Sequence, residues 1–287
     1  MTSTPVSTRA VIVTGASSGI GLEAAVGIAR HGYRVVATVR DLGRTDALTS
    51  AAGEAGVELD IRTLDVTDSA SVSALVDGVV ATYSGVHALV NNAGAAHVAT
   101  MELDAMDDIR AAFEVNFFGV VAMSKAVMAH LRASNGVLIS VSSVGGIVGQ
   151  PFNEAYCAAK FALEGFMEGL APVAATVGVR VCVVEPGAVA SSFVSNAGID
   201  PAAMVAAAGP YAPAAASYLA RTAGAFANAQ TSQDAAAVIV SALVDSGTPF
   251  RVQTSEGARA FVGLKLADLD GSAVQGLTGT WVAPTPA

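Results

Sequence analysis

The chain has 287 residues, of which 15 are Lys or Arg and 24 Asp or Glu, for a formal charge of −9. That length allows one large or two small domains with a substantial core and excludes a disordered tail or a disulfide-stapled miniprotein, while the acidic balance has the wrong sign for tracking phosphates along a nucleic acid. Hydrophobic residues make up 53% and charged ones 14%, yet the longest uncharged stretches, 133–153 and 201–220, are broken by Ser, Asn, Gln, Gly and Pro, short of the about 20 predominantly apolar residues of a bilayer span.

Residues 1–9 form a polar lead with neither a basic stretch nor an apolar segment of signal-peptide length, so a cytoplasmic setting with no membrane span is the expectation. Short β-branched runs then recur at residues 9–13, 34–38, 57–64, 86–90, 137–141, 179–184 and 250–252. Most are apolar throughout, as strands buried on both faces are, and they end at Gly or polar turn residues. Between them apolar residues fall three and four apart, as in Ile20-Ala24-Ile28 and Leu163-Phe166-Met167-Leu170, the spacing of one helical face. Strand and helix in alternation predict an α/β fold: a Rossmann-type, doubly wound parallel sheet of about seven strands with helices on both faces.

One stretch departs from the alternation. Over roughly 190–228 Ala, Ser, Gly and Pro dominate, with scattered Met, Phe and Tyr, before a helix-like segment at 235–243. An insertion after the sixth strand lies where it can cover the crevice beyond the strands' carboxyl ends, so a lid is expected there; a plain surface helical pair is the alternative. No charge run, repeat or Pro/Ser linker divides the chain, which reads as one domain over 1–287. Cys157 and Cys182 fall in a helix and a buried strand and read as reduced core thiols.

The first strand ends in Thr14-Gly15-Ala16-Ser17-Ser18-Gly19-Ile20-Gly21 and turns at once into a helix. Gly15, Gly19 and Gly21 allow a tight turn and a close backbone approach, and the N–H groups of a helix start at Ser17, Ser18 and Ile20 suit a pyrophosphate; a tight turn with no ligand needs similar glycines. No Gly-Lys-Ser/Thr follows, which excludes a triphosphate P-loop. At the second strand's tip the sequence is Ala37-Thr38-Val39-Arg40-Asp41, without the acid that would bind the 2′-hydroxyl of NAD. Arg40 can instead pair with a 2′-phosphate, favouring NADP(H) over NAD(H), or it is a surface cation paired with Asp41. Tyr156 and Lys160, four apart on a helix, share a face, where an ammonium favours phenolate. On its own the pair is a common solvated helix face; Ser143, at the end of the fifth strand, brings a third polar group to the same rim.

In their order and spacing the 14–21 loop, Asp65-Val66, Asn91-Asn92-Ala93-Gly94, Asn116, Ser143, Tyr156 with Lys160, and Pro186-Gly187 resemble the short-chain dehydrogenase/reductase family, over about residues 10–193. Residues 149–165 and 37–42 are similar to its 17β-hydroxysteroid and retinol dehydrogenase branch. The resemblance implies that Asp65 and Val66 hold the adenine, that Asn92, Ala93 and Gly94 line the cofactor, and that Val189 and Ser191, beyond Pro186 and Gly187, hold the nicotinamide carboxamide. It implies further that Ser143 hydrogen-bonds the substrate oxygen and Tyr156 moves the proton. Lys160 would lower the tyrosine pKa and bind the nicotinamide ribose, and Asn116 would anchor a water leading to Lys160. Dimers or tetramers are usual in the family.

The expected function is NADP(H)-dependent interconversion of an alcohol and a carbonyl on an apolar substrate such as a steroid, retinoid or lipid-like compound. The alternatives are a 3-oxoacyl reductase, an NAD-dependent alcohol dehydrogenase, or a non-enzymatic NADPH sensor or scaffold. No metal is expected. The histidine that steroid-binding relatives carry in the C-terminal part has no counterpart, since His31, His87, His97 and His130 all come earlier. His97 reads as a loop histidine and His31 as helix C-cap chemistry.

Overall fold

Seven short strands, the central ones built of the chain's β-branched runs, form one parallel sheet in the order β3-β2-β1-β4-β5-β6-β9. They are β1 (Ala10–Val13), β2 (Arg34–Val39), β3 (Asp60–Thr63), β4 (Ala88–Asn91), β5 (Val137–Val141), β6 (Arg180–Glu185) and β9 (Arg251–Gln253). The computed structural model describes residues 9–191, 193, 200–227 and 229–283. Every residue of β1, β4 and β5 is buried, because helices cover both faces of the sheet. On one face α1 (Gly19–Arg30) and α2 (Asp46–Ala55) pack with α9 (Ser232–Val244); on the other lie α3 (Ser69–Tyr83), α5 (Gly119–Ser134) and α6 (Glu154–Ala175). Strand order reverses between β1 and β4, each paired to the other as well as outward, so a crevice opens above their carboxyl ends. The loops after β1, β4, β5 and β6 all end on that rim, and they carry the motifs.

Several boundaries differ from expectation. β3 begins at Asp60 rather than Val57, because α2 ends on left-handed Gly56, Val57 N–H is spent on Ala52 O, and the ladder with β2 starts at the Val36 and Asp60 pair. β9 lies one residue later than 250–252. A second, two-stranded parallel pair, β7 (Val189–Ala190) with β8 (Gln230–Thr231), ties together the two ends of the insertion after β6. Within that insertion α7 (Pro201–Ala207), capped by the Asp200 carboxylate, and α8 (Ala212–Ala227) pack on Phe152, Val98 and Trp281; residues 192, 194–199 and 228 of the expected lid lie outside the described residues. The chain closes with α10 (Glu256–Ala267) and α11 (Ser272–Val282).

One helix corrects the reading of uncharged runs. α4 (Met106–Phe113), a π turn (Glu114–Phe118) and α5 run on continuously, and Met106–Ser134 is long and apolar enough to cross a bilayer, with an 18-residue window of mean hydropathy 1.3. Asp107, Asp108, Arg110, Glu114, Lys125 and Arg132 keep it out of the uncharged stretches. In the fold its Val120, Met123, Val127 and Leu131 are buried in the core against the sheet. Cys157 and Cys182 are buried free thiols, as expected.

Candidate active site

The glycine loop is shaped by close approach. Gly15 and Gly19 have φ of +68° and +59°, and a Cβ on Gly15 would stand 2.8 Å from Ala93 Cα. One on Gly19 would meet Ser191 Cβ at 3.2 Å, and one on Gly21 would strike the Asn92 amide and the Gly15 carbonyl. Side chains lock the loop to the end of β4: Asn92 and Ala93 N–H both donate to Thr14 Oγ1 at 2.9 Å, and Asn92 Nδ2 donates to Thr14 O at 2.9 Å and Gly15 O at 3.0 Å. Ser18 stands extended at the N-cap of α1, so the N–H groups of Gly19, Ile20 and Gly21 open the helix beside Ser17. A cradle that any Cβ would fill, opening on a helix N-terminus, fits the diphosphate of a dinucleotide.

Arg40 is exposed one residue beyond β2 and makes no ion pair among the described residues. The alternative partner, Asp41, is otherwise engaged, accepting from Gly43 N at 2.8 Å. Asp65 accepts from Thr67 N and Oγ1 at 2.9 and 2.7 Å. Those bonds, with the nearby charge of Arg40, hold its carboxyl below the usual range. Val66 packs where a Cβ on Gly119 would come within 2.7 Å. On the far side, Pro186 O accepts from Val144 N at 2.9 Å, Gly187 lies against α10, Val189 is buried, and Ser191 Oγ accepts from Phe193 N at 3.4 Å.

At the rim's centre Ser143, extended after β5, accepts from Gly145 N at 3.0 Å, and its hydroxyl is close enough to Tyr156 to act on the phenol. Lys160 is buried, donates from Nζ to Val141 O at 3.0 Å, and lies 6.0 Å from the Tyr156 ring centroid. Asn116, fully buried in the π turn, donates to Ala112 O and Ala95 O at 2.9 Å and accepts from Ala95 N at 3.2 Å. A π turn of this kind recurs where a side chain is presented for function. A Cβ on Gly94 would fall 3.0 Å from Asn116 Oδ1 and 3.8 Å from Lys160 Nζ, so these two groups converge across a glycine. Burial pushes the Tyr156 phenol up to about 12 against the opposing effect of the Ser143 hydroxyl, and pulls Lys160 down to about 8 against the charge of Glu164. Among the protein's own residues, then, the lysine does not offset the desolvation of the phenol, and Tyr156 is protonated at neutral pH.

The structure adds residues that the motifs did not signal. Phe152 has φ +60°, which a phenylalanine gives no sequence cue for; its N–H donates to Glu154 Oε1 at 3.1 Å and its carbonyl accepts from Ala99 N at 2.9 Å. Its ring packs 5.4 Å from that of Tyr218 on α8, whose hydroxyl accepts from Asn153 Nδ2. The Phe193 ring stands 6.1 Å from that of Tyr156. His97 is a loop histidine as expected, but partly buried, with Nε2 2.7 Å from Asp104 Oδ2. His31 caps α1, with Nδ1 2.9 Å from Gly27 O.

A doubly wound sheet whose switch-point rim joins a glycine cradle to a serine, a tyrosine and a lysine is the architecture of a dinucleotide-dependent oxidoreductase. The chain belongs to the short-chain dehydrogenase/reductase family: residues 9–202 match the family model described as short chain dehydrogenase. It is 39% identical over 279 residues to retinol dehydrogenase 8 of Bos taurus, spanning 92% of this chain and 87% of that protein. Estradiol 17-beta-dehydrogenase 1 of Rattus norvegicus is 40% identical over 190 residues, 64% of this chain and 55% of that one. Among solved structures, a short-chain dehydrogenase from Streptomyces avermitilis superposes with a TM-score of 0.75 at 28% identity, covering 96% of this chain and 97% of that one. The branch indicated by residues 149–165 is therefore the one its relatives occupy, and the chain is an oxidoreductase of CH–OH groups that uses an NAD(P)(H) nucleotide.

Proposed function

We propose that the protein interconverts an alcohol and a ketone or aldehyde on an apolar substrate, with NADP(H) as cofactor. The convergence of Ser143, Tyr156 and Lys160 beside the glycine cradle carries this reading. Bound nicotinamide supplies or takes up the hydride and so carries the redox change. Ser143 Oγ and Tyr156 Oη hydrogen-bond the substrate oxygen, and in the reductive direction the phenol gives it a proton. Lys160 stabilises the phenolate left behind and binds the nicotinamide ribose; Asn116, on its far side, holds a water that returns the proton. Asp65 and Val66 hold the adenine, Asn92, Ala93 and Gly94 line the dinucleotide, and Val189 and Ser191, with Pro186 and Gly187, hold the carboxamide.

Arg40 supports the choice of NADP(H): it is exposed, makes no ion pair among the described residues, and follows the tip of β2, where a cation suits a 2′-phosphate. An apolar substrate is supported by the cover itself, where Phe152, Tyr218, Met204 and Val98 cluster between the insertion and the rim. Two relatives are named for retinol and estradiol. Residues 190–228 then act as a lid within a single domain, the setting is cytoplasmic, and the chain pairs with copies of itself, for which the exposed Phe161 and Phe166 on α6 offer an apolar face.

The test is NADPH oxidation over a panel of retinoid aldehydes, steroid ketones and 3-oxoacyl thioesters, repeated with NADH. Turnover of an apolar carbonyl with NADPH preferred is expected. Preference for the thioesters, or for NADH, would replace the substrate or the cofactor; cofactor binding without any turnover would leave the sensor reading.

A further inference from the structure

Behind the catalytic helix lies a buried cluster with no part in the steps above. Glu164 stands one turn beyond Lys160 on α6 and is 4% exposed, while Glu185, the last residue of β6, is fully buried. Arg251 on β9 reaches both. Its Nε lies 2.8 Å from Glu185 Oε1, but the Nε hydrogen and one terminal nitrogen donate to Glu164 Oε2, each at 3.2 Å. That same terminal nitrogen donates to Glu168 Oε2 at 2.8 Å, and Gln253 Nε2 donates to Glu185 Oε2 at 2.9 Å. With both buried carboxyls ionised, Glu164 Oε1, Glu185 Oε1 and Ser142 Oγ are left without a hydrogen-bond partner, although Glu164 stands against both Ser142 and Glu185. Glu185 Oε1 and Glu164 Oε2 both lie against the one Arg251 Nε, at 2.8 and 3.2 Å, which crowds two carboxylates together in the core; ionised they repel, and one proton between them turns the repulsion into a hydrogen bond.

The charges agree. The groups facing the pair are Lys160 and Glu168 from α6, Arg251 and Gln253 from β9, and Ser142 from the loop after β5. Three carboxylates therefore meet two cations, and the set is one proton short of neutrality. Packing leaves no slack, since a Cβ on Gly146 would stand 3.0 Å from Glu164 Cγ and 3.2 Å from Lys160 O.

We propose that Glu164 and Glu185 share a single proton, and that this carboxyl–carboxylate pair, anchored by Arg251, is the counter-charge that positions Lys160. Burial pushes both carboxyls above their usual range, Glu185 to about 7, and the charge of Glu164 is what opposes the downward push on Lys160. Glu164 acts through Lys160 and is a positioning residue, so the second half of the proposal rests on the reading of Lys160 given above; the shared proton does not.

The proton is read without substrate, as the number released on unfolding, from the dependence of the calorimetric enthalpy on buffer ionisation heat. At about pH 6 the wild-type chain is expected to release about one proton more than Glu185→Gln, because Glu185 is protonated when folded and ionised when unfolded. The glutamine amide can donate to Glu164 as the protonated carboxyl does, so this variant is expected to fold. Equal release overturns the shared proton. For Lys160, Glu164→Gln is expected to move the alkaline limb of the turnover profile down by about one pH unit, and Glu164→Asp, which keeps the charge but withdraws it, by less. Glu185→Gln is expected to leave that limb in place. A limb unmoved in both Glu164 variants, with NADPH binding retained, overturns the positioning role. A wild-type chain inert toward every carbonyl would defeat the functional reading and leave the proton count to decide the pair.

Discussion

At the scale of single residues, position outweighs type. Tyr156 and Lys160 are readable because a four-residue spacing on a helix puts them on one face, but the size of their mutual effect was not. Within the protein, burial dominates both: the phenol rises and the ammonium falls to about 8. A lysine lowered in this way is cationic below its folded pKa and loses its charge as the pH rises through about 8, so turnover that needs the ammonium falls off there. Glu185 and Arg251 gave no signal at all, since their partners come from three elements far apart in sequence and a carboxylate in an apolar strand has no motif. Arg40 was readable as a cation, but that it forms no ion pair among the described residues was not. Arg40→Ala is expected to weaken NADPH binding by about 10- to 100-fold, the worth of about 1.5–3 kcal/mol for charged hydrogen bonds, and to leave NADH nearly unaffected. Equal losses for both cofactors, by fluorescence titration, would remove the 2′-phosphate contact.

Elements were legible in proportion to their burial. β1, β4, β5 and β6, buried almost throughout, appear within a residue or two of where the composition put them. β3, a half-buried edge strand reading Asp-Ile-Arg-Thr, was overextended into the turn that follows Gly56. β7 and β8 are two residues each, and their parallel pairing depends on a crossover some forty residues long that no local pattern encodes. The π turn around Asn116 was likewise hidden, because the side chain that interrupts the helix ladder looks from sequence like one more polar helix residue. In the insertion, the hydroxyl of Tyr218 ties α8 to Asn153 at the N-terminus of α6. Tyr218→Phe cuts that tie while keeping the ring against Phe152. It is expected to raise KM for an apolar carbonyl several-fold with kcat changed by less; kinetics with KM unchanged would show that the insertion does not act as a lid.

For the molecule as a whole, the apolar surplus of the composition divides in two. One core lies on each face of the sheet, built of the same strands and of opposite helices. Even Met106–Ser134, apolar enough for a bilayer, spends its Val120, Met123, Val127 and Leu131 on that core. The remainder gathers over the rim, around Phe152 and Tyr218. Burial on both faces forces the parallel strands to end on one edge, and the reversal of order between β1 and β4 makes that edge a crevice. Everything chemical in the chain, from Gly15 to Ser191, is a consequence of which loops leave from it. The central claim is that the proton at this rim moves through Tyr156. It is tested most directly by comparing NADPH oxidation by the wild-type chain and Tyr156→Phe on the best carbonyl substrate, with NADPH affinity measured in parallel. Loss of turnover by about 100-fold or more, with NADPH affinity kept, is the expected result; a Phe variant that still turns over at the wild-type rate would contradict it.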